Sequence, residues 1–453
     1  MIKWKELIKF KGDKILWCMI ILLMVASVLL IYSSTGRLAY NKQDGNTLFY
    51  VGKQLTFLIV CFGVLFVTQI FSWKKLYEWA PWLLLGAGIL LVMAAFGGDN
   101  INGAGRWIKI PILGVTFQPS EFAKIAIVIY VSKLFADYQE EHWCSNEILK
   151  QLWAPALVIL LIFLDNFSTS VLISAVCLAL FILGRMRLGL LLKIIGCFVA
   201  VMTIILVLGI MVPQSRNWGR IGTIVSRLTE FVVGGDSNEE RKKDYSMQAD
   251  HARMAIAQGG LTGRGPGNSI QRNMLPHAYS DFIYAILIEE YSFFGGLIVM
   301  ILYLIILYRS VRICQNALKI EHLNPRGQPN IFPALLVFGL GLSITLQALF
   351  HMGVNTGALP VTGQTLPLIS LGGTSLLFTS AALGIMLNVA YTVSPERQKR
   401  ESMDHSCYNR DEEFSYGDPK DNISELGELE SEEIVKDDFE NEGDRMLREF
   451  RKK

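Results

Sequence analysis

Glu121 and Lys124 stand three residues apart near the start of one long apolar stretch, and Asp281 heads another that also carries Glu289 and Glu290. Residues three apart on a helix share a face, so Glu121 and Lys124 can pair. A carboxylate held by an ammonium fixes a charge, while a carboxylate left over can take a proton. The set therefore suits acid–base chemistry on a substrate that develops negative charge. Ionisable groups at bilayer depth are costly and are usually buried in protein, paired and functional. Each residue also has a plainer explanation. Glu121 follows Pro119 and Ser120, where a helix N-terminus favours a negative group. Lys124 can extend toward the headgroups, and Asp281 can cap the helix it precedes. Against these stand the apolar residues 125–131 directly after Lys124, and the second carboxylate pair two turns beyond Asp281.

The elements that must carry these residues follow from composition. Of 453 residues, 52% are hydrophobic and only 18% charged, which excludes an ordinary soluble chain. Ten apolar segments are candidate membrane helices, at 14–33, 50–72, 79–97, 119–136, 151–165, 168–184, 188–212, 281–308, 330–354 and 372–393. The fifth and sixth are short and separated only by Asn166 and Phe167. The expected fold class is thus an all-α integral membrane protein of about ten transmembrane helices. Lys3, Lys5, Lys9, Lys11 and Lys14 place the N-terminus in the cytoplasm. Lys74, Lys75, Arg185, Arg187, Arg309, Arg312, Lys319 and Arg326 then fall on the same side. Ten spans return the C-terminus to the cytoplasm. The loop 213–280 is extracytoplasmic, its length exempting its arginines from the charge rule. The first segment is too long for a signal h-region and reads as a retained anchor. On this topology Glu121, Lys124 and Asp281 share the outer side.

Cys18, Cys61, Cys177 and Cys197 fall in spans, and Cys144, Cys314 and Cys407 in cytoplasmic segments, so no extracytoplasmic disulfide framework is expected. Residues 1–394 form the membrane body. Residues 395–453 carry 19 acidic and 11 basic residues with few aromatics, the composition of a disordered cytoplasmic tail.

Two glycine-rich stretches remain. Residues 259–267, Gly-Gly-Leu-Thr-Gly-Arg-Gly-Pro-Gly, lack the Lys-Ser/Thr ending of a P-loop. A tight or re-entrant turn is expected there, with the amides beside Arg264 a weaker candidate for binding phosphate. Residues 360–375 are irregular backbone between apolar segments, tolerated only where protein or a water-filled cavity covers them. The six histidines show no zinc-ligand spacing, no Ser-His-Asp pattern can be picked out, and nothing points to nucleic acid.

The strings NGAGRWI, FQPSEFAK, GGLTGRGPG, LPHAYSDFIYAILIEE and LPVTGQTLPLISLGGTS, in this order, resemble the signature blocks of the shape, elongation, division and sporulation proteins. The resemblance covers essentially all of residues 14–394. The opening GDKILW and the later SSTGRLAY are nearer to the division member than to the elongation member. Three positions depart from the family pattern. Asn166-Phe167-Ser168-Thr169 stands for an Asp-x-Gly-Thr block, with Asp165 one place earlier. His351 stands where Asn is common, and Leu371 where Tyr is common.

The resemblance implies a peptidoglycan glycosyltransferase that polymerises lipid II, the undecaprenyl-pyrophosphoryl disaccharide-pentapeptide, outside the cytoplasmic membrane. It maps the catalytic aspartate to Asp281 and the paired Glu and Lys to Glu121 and Lys124. The expected substrate-binding set is Glu121, Lys124, Arg106, Gln118, Ser120, Arg264, Arg272 and Glu290. No organic cofactor is expected; a divalent cation, Mg or Mn, on Asp281 or Glu121 is. The implied partners are a single-span class B penicillin-binding transpeptidase and other division proteins. Two other readings stay open: a lipid II flippase, which needs a polar path reaching both faces, and a non-catalytic division scaffold.

Overall fold

In the computed structural model of the chain, the described residues are 11–42, 46–97, 99–101, 104–110, 115–139, 146–211, 239–275, 277–319, 331–359 and 361–394. The acidic tail, Cys144 and Cys407 lie outside them. Each of the ten apolar segments forms a helix: α1 (Lys14–Ser34), α3 (Thr47–Ile70), α4 (Trp73–Gly97), α5 (Pro119–Asp137), α6 (Trp153–Asp165), α7 (Phe167–Leu183), α8 (Leu188–Met211), α10 (Ile283–Leu318), α11 (Phe332–Asn355) and α12 (Gly373–Thr392). Two further helices connect them, α2 (Gly36–Lys42) and the polar α9 (Glu239–Gly259).

Among the described residues, six helices are long and apolar enough to cross a membrane: α1, α3, α4, α10, α11 and α12. The others fall short for different reasons. α5 carries Glu121, Lys124, Lys133 and Asp137, while α6 and α7 have only 13 and 17 residues. Of α8, the described apolar part is Leu188–Cys197. α11 and α12 form the centre, with 72% and 78% of their apolar windows buried, whereas α3, at 22%, shows most of its surface to the surroundings.

The connection between α4 and α5 departs from the helical expectation. It folds into three short antiparallel strands, β1 (Asp99–Ile101), β2 (Ala104–Ile110) and β3 (Val115–Phe117), in the order β1-β2-β3. Asn100 pairs with Gly105 and Lys109 with Thr116. The ladders satisfy backbone groups in a loop too polar to be buried among helices.

Local chemistry sets the helix starts. Asp13 caps α1, its Oδ1 accepting from the Leu16 amide at 2.9 Å. The same carboxylate receives Arg309 from α10 through Nε at 3.2 Å and through Nη2, a two-pronged pairing that joins the start of α1 to the far part of α10. The Lys11 carbonyl accepts from Trp17 Nε1 and from Gln69 Nε2 of α3. Gly12, at φ +97°, lies where a Cβ would come within 2.6 Å of the Leu387 carbonyl oxygen of α12. The GDKILW string is therefore a four-helix junction.

α10 corrects the expected boundaries 281–308: it begins at Ile283, after Asp281, and runs to Leu318. Cys314 consequently lies buried within it rather than in a loop. Its interior is broken at Ser292, which takes φ 71° and ψ 175°. That break interrupts the helical ladder, and the glycine-rich loop fills the gap. The amides of Arg264 and Gly265 donate to the carbonyls of Glu289 (2.9 Å) and Glu290 (3.0 Å), and the Phe293 amide donates to the Gly260 carbonyl (3.0 Å). The backbones approach so closely that a Cβ at Gly259 would lie 2.2 Å from the Ile288 oxygen. One at Gly263, which has φ +69°, would lie 2.5 Å from the Glu290 oxygen. The expected tight turn is thus a backbone clamp. Because the Arg264 and Gly265 amides are committed to carbonyls, they leave no nest for a phosphate.

Candidate active site

Pro119 occupies the first turn of α5 and needs no partner for the N–H it lacks. The start of α5 presents Gln118, whose Nε2 donates to Ser120 Oγ at 3.0 Å, and then Glu121. Lys124 Nζ lies 3.0 Å from Glu121 Oε2, with both side chains 6% exposed, and donates to Gln347 Oε1 of α11 at 2.5 Å. Ser375, in the first turn of α12, donates to Glu121 Oε2 at 3.3 Å. The ammonium is paired and hydrogen-bonded inside the protein, which rules out the extended, headgroup-seeking conformation. A small, half-open cleft lies beside it, lined by Glu121, Lys124, Gln347, Ser343 and Thr379 together with Ile125, Leu340, Ile344, Phe378 and Ala382.

Residues 361–371 connect this pair to Asp281. At one end, Gln347 Nε2 donates to the Thr365 carbonyl (3.0 Å), and Thr365 Oγ1 donates to Ser375 Oγ (3.0 Å). At the other, Ser370 Oγ donates to the Ser280 carbonyl (2.8 Å) and the Leu371 amide to the Tyr279 carbonyl (3.0 Å). Asp281 itself is partly exposed in the turn before α10. Its Oδ1 accepts from Ser280 Oγ at 3.1 Å, and its backbone carbonyl accepts from Asn355 Nδ2 at 3.1 Å. Among the described residues no hydrogen bond or ion pair joins Asp281 directly to Glu121 or Lys124. The two groups sit at opposite ends of one hydrogen-bonded segment.

Desolvation lifts the Asp281 carboxyl above its ordinary value, while the charge of His277 and the Ser280 hydrogen bond pull it back down. His277, at φ 61°, and Leu368, at φ 62°, hold left-handed backbone on either side of this contact, a costly conformation for residues with a Cβ. The first turns of α5, α7 and α12 and the turn leading into α10 all supply residues to the network. Helix N-termini favour negative charge, so their convergence suits an anionic group.

Other expected residues lie elsewhere. Arg264 Nε is 3.9 Å from Glu289 Oε1, and Glu289 also accepts from Ser269 Oγ and from the Ile270 amide at 2.9 Å. Glu289 therefore anchors the loop. Arg272 Nη1 donates to the Ser33 carbonyl at 3.1 Å, and Ser33 Oγ donates to Glu290 Oε1. Arg272, Ser33 and the buried Glu290 thus make a second cluster tying α1, the loop and α10 together, with the exposed Arg264 on Glu289 beside it; among the described residues no hydrogen bond or ion pair joins it to Glu121 or Lys124. Arg106 lies on β2, and its side chain is outside the described set.

Residues with no charge complete the site and escaped the sequence reading. Asn166 caps α7, its Oδ1 accepting from the Thr169 amide at 3.4 Å. Thr169 Oγ1 accepts from Gln364 Nε2 at 2.7 Å. The altered 166–169 block therefore holds the 361–371 segment. Asp165 has its side chain outside the described set. Among the described residues, no three His, Cys, Asp or Glu side chains form a metal-ligand set. Glu121 Oε2 is already engaged by Lys124 and Ser375. The described donors do not fit a cation cage built by protein alone.

A family model described as cell cycle protein, for FtsW, RodA and SpoVE, matches residues 13–394. A probable peptidoglycan glycosyltransferase FtsW of Neisseria gonorrhoeae is 30% identical over 416 residues, covering 84% of this chain and 85% of the relative. The FtsW of Haemophilus influenzae is 31% identical, over 82% of this chain and 88% of the relative. Among solved structures, a chain of a peptidoglycan synthase complex that coordinates polymerization and crosslinking aligns with a TM-score of 0.62 at 21% identity, covering 85% of this chain and 99% of that one. The rod shape determining protein RodA of Thermus thermophilus aligns with a TM-score of 0.55 at 20% identity, over 84% and 96%. These two likenesses concern the fold.

Proposed function

The chain belongs to the FtsW, RodA and SpoVE family of multi-pass membrane proteins, and from that premise we propose that it is the division-type peptidoglycan glycosyltransferase of its cell, polymerising lipid II. The relatives at about 30% identity that carry the FtsW name support division over elongation. The working side is the outer face of the cytoplasmic membrane, with enrichment at the septum. Its partner is a single-span class B penicillin-binding transpeptidase, a reading supported by the likeness to a complex that joins polymerization to crosslinking.

The chemistry follows from the residues. The 4-hydroxyl of one lipid-linked disaccharide attacks the anomeric carbon of the other. The new C1–O4 bond forms as the bond from C1 to the phosphate oxygen breaks, and the lipid pyrophosphate leaves. An alcohol is a poor nucleophile at neutral pH, so its proton passes to Asp281. Raised basicity from desolvation suits that role. Attack from the face opposite the leaving group inverts an α-linked donor to a β-linked product. Negative charge growing on the pyrophosphate meets Lys124 and the converging helix N-termini. A divalent ion acting here would rest on a single carboxylate and the substrate's own phosphates.

The single observation that carries this reading is the 361–371 segment, which ties a partly exposed carboxylate to a buried lysine in one rigid network. The test is polymerisation of lipid II in detergent by purified wild type and Asp281→Asn. Glycan chains from the wild type and none from a folded Asp281→Asn are expected. Because detergent offers no second compartment, a protein that only transports lipid II makes no glycan in this assay. Full activity of Asp281→Asn overturns the base assignment.

A further inference from the structure

Gly363 has φ +65°, and a Cβ built on it would lie 3.7 Å from Asp281 Oδ2. The backbone at 363 therefore lies beside the carboxylate, with room for no more than a methyl in ordinary contact between them. What holds it there is its neighbour. The Gln364 carbonyl faces His351 Nδ1 of α11 at 2.8 Å, and the Gln364 side chain is fixed on Thr169 of α7 at 2.7 Å. One turn along α11, Asn355 grips the other partner: its Nδ2 donates to the Asp281 carbonyl at 3.1 Å and its Oδ1 accepts from the Ala285 amide at 3.0 Å. The same face of α11 thus sets both the base and the backbone that covers it.

His351 is 1% exposed. A carbonyl can only accept, so Nδ1 must carry the proton. Among the described residues Nε2 is buried without a hydrogen-bond partner. A buried polar atom left unpaired costs free energy, and a leucine or phenylalanine would avoid that cost. The ring is therefore used for its Nδ1–H.

We propose that His351 is a positioning residue for the general base: through Gln364 it seats the Gly363 backbone against the Asp281 carboxylate and so fixes that carboxylate's orientation and exclusion from water. This deepens the mechanism above and rests on Asp281 being the base. Asp281 remains the group that touches substrate, while His351 acts through two intervening residues. The remaining titratable neighbours of Asp281, His277 and Tyr279, lie on its own turn.

The experiment compares His351→Leu, His351→Asn and Asp281→Asn in lipid II polymerisation across pH, with thermal unfolding of each. An asparagine amide can place Nδ2 where Nδ1 of histidine sits, so His351→Asn keeps the donor. Leucine removes it. A misplaced catalytic group can lose about 100-fold in rate, so His351→Leu is expected to lower kcat about 10- to 100-fold with KM nearly unchanged. Its acidic limb is expected to move to lower pH, as the carboxylate regains water. His351→Asn is expected to restore both. If His351→Leu unfolds, His351→Phe, which also removes the Nδ1 donor but keeps a ring in the site, is measured in its place with the same expectation. A folded His351→Leu, or His351→Phe, with the wild-type kcat and pH profile overturns the proposal while Asp281→Asn stays inactive. An active Asp281→Asn overturns the mechanism beneath it instead.

Discussion

Gln347 divides one side-chain amide between two partners: its Oε1 receives Lys124 Nζ at 2.5 Å, and its Nε2 donates to the Thr365 carbonyl at 3.0 Å. Lys124 is thereby linked to the 361–371 segment, whose other end reaches the turn that carries Asp281. Gln347→Leu keeps the volume and removes both bonds. It is expected to slow polymerisation more than it lowers thermal stability, measured as kcat against Tm in detergent. Equal loss in both would reduce Gln347 to packing.

The Glu121–Lys124 pair is buried, so removing one partner strands the other. Lys124→Met is expected to destabilise the protein by about 3–5 kcal/mol, the range for breaking a buried ion pair. Glu121→Gln/Lys124→Met removes both charges and is expected to recover most of that stability while activity stays low. Thermal unfolding and lipid II polymerisation of the two variants check this. Recovery of activity along with stability would show that the pair only holds the fold.

The pH dependence follows from Asp281. Its carboxyl is raised by desolvation, and a base works only when deprotonated. Activity is therefore expected to be full above the raised value and to fall as pH drops through it, so the acidic limb lies above the ordinary aspartate value of about 3.9. A limb at or below that figure in the kcat/KM profile contradicts the assignment.

Chelation separates two origins of any metal effect. Because the described residues supply no ligand set of their own, EDTA is expected to leave the Tm of the protein alone unmoved, whether or not it changes turnover through an ion carried on the substrate's phosphates. A drop in Tm on chelation would reveal a resident ion.

The glycine clamp makes a stability prediction. Gly263→Ala must hold φ +69° and place a methyl 2.5 Å from the Glu290 oxygen. The left-handed backbone costs about 1–2 kcal/mol and overpacking about 1–3 kcal/mol. A fall in Tm with lost activity is expected. Gly267→Ala, at φ +80° but with open space around it, carries only the first cost and serves as the comparison.

The spans were legible because hydropathy reports burial in lipid directly, and Glu121, Lys124 and Asp281 were legible because charge in such segments is rare. The rest depended on partners distant in sequence. Nothing local marks Ser292 as a break, since the helix backbone around it, at Glu289, Glu290 and Phe293, is satisfied from residues 260–265. The loop glycines read as a turn because the carbonyls they approach belong to another element. Arg264 and Arg272 looked like phosphate ligands, but positive charge alone does not say whether Glu289, Ser33 and Glu290 have already claimed it. His351, Gln364, Thr169 and Asn355 have no local pattern to mark them, and only the fold brings them together around Asp281.

The thirteen residues of α6 reach about 20 Å at 1.5 Å per residue, well short of a hydrocarbon slab about 30 Å thick. So short a helix cannot by itself carry the chain from one face of such a slab to the other. The Asn166 cap and the Thr169 hydroxyl that holds Gln364 are therefore placed by where α6 ends, and lengthening α6 by a turn would move that anchor without touching any residue of the 361–371 segment.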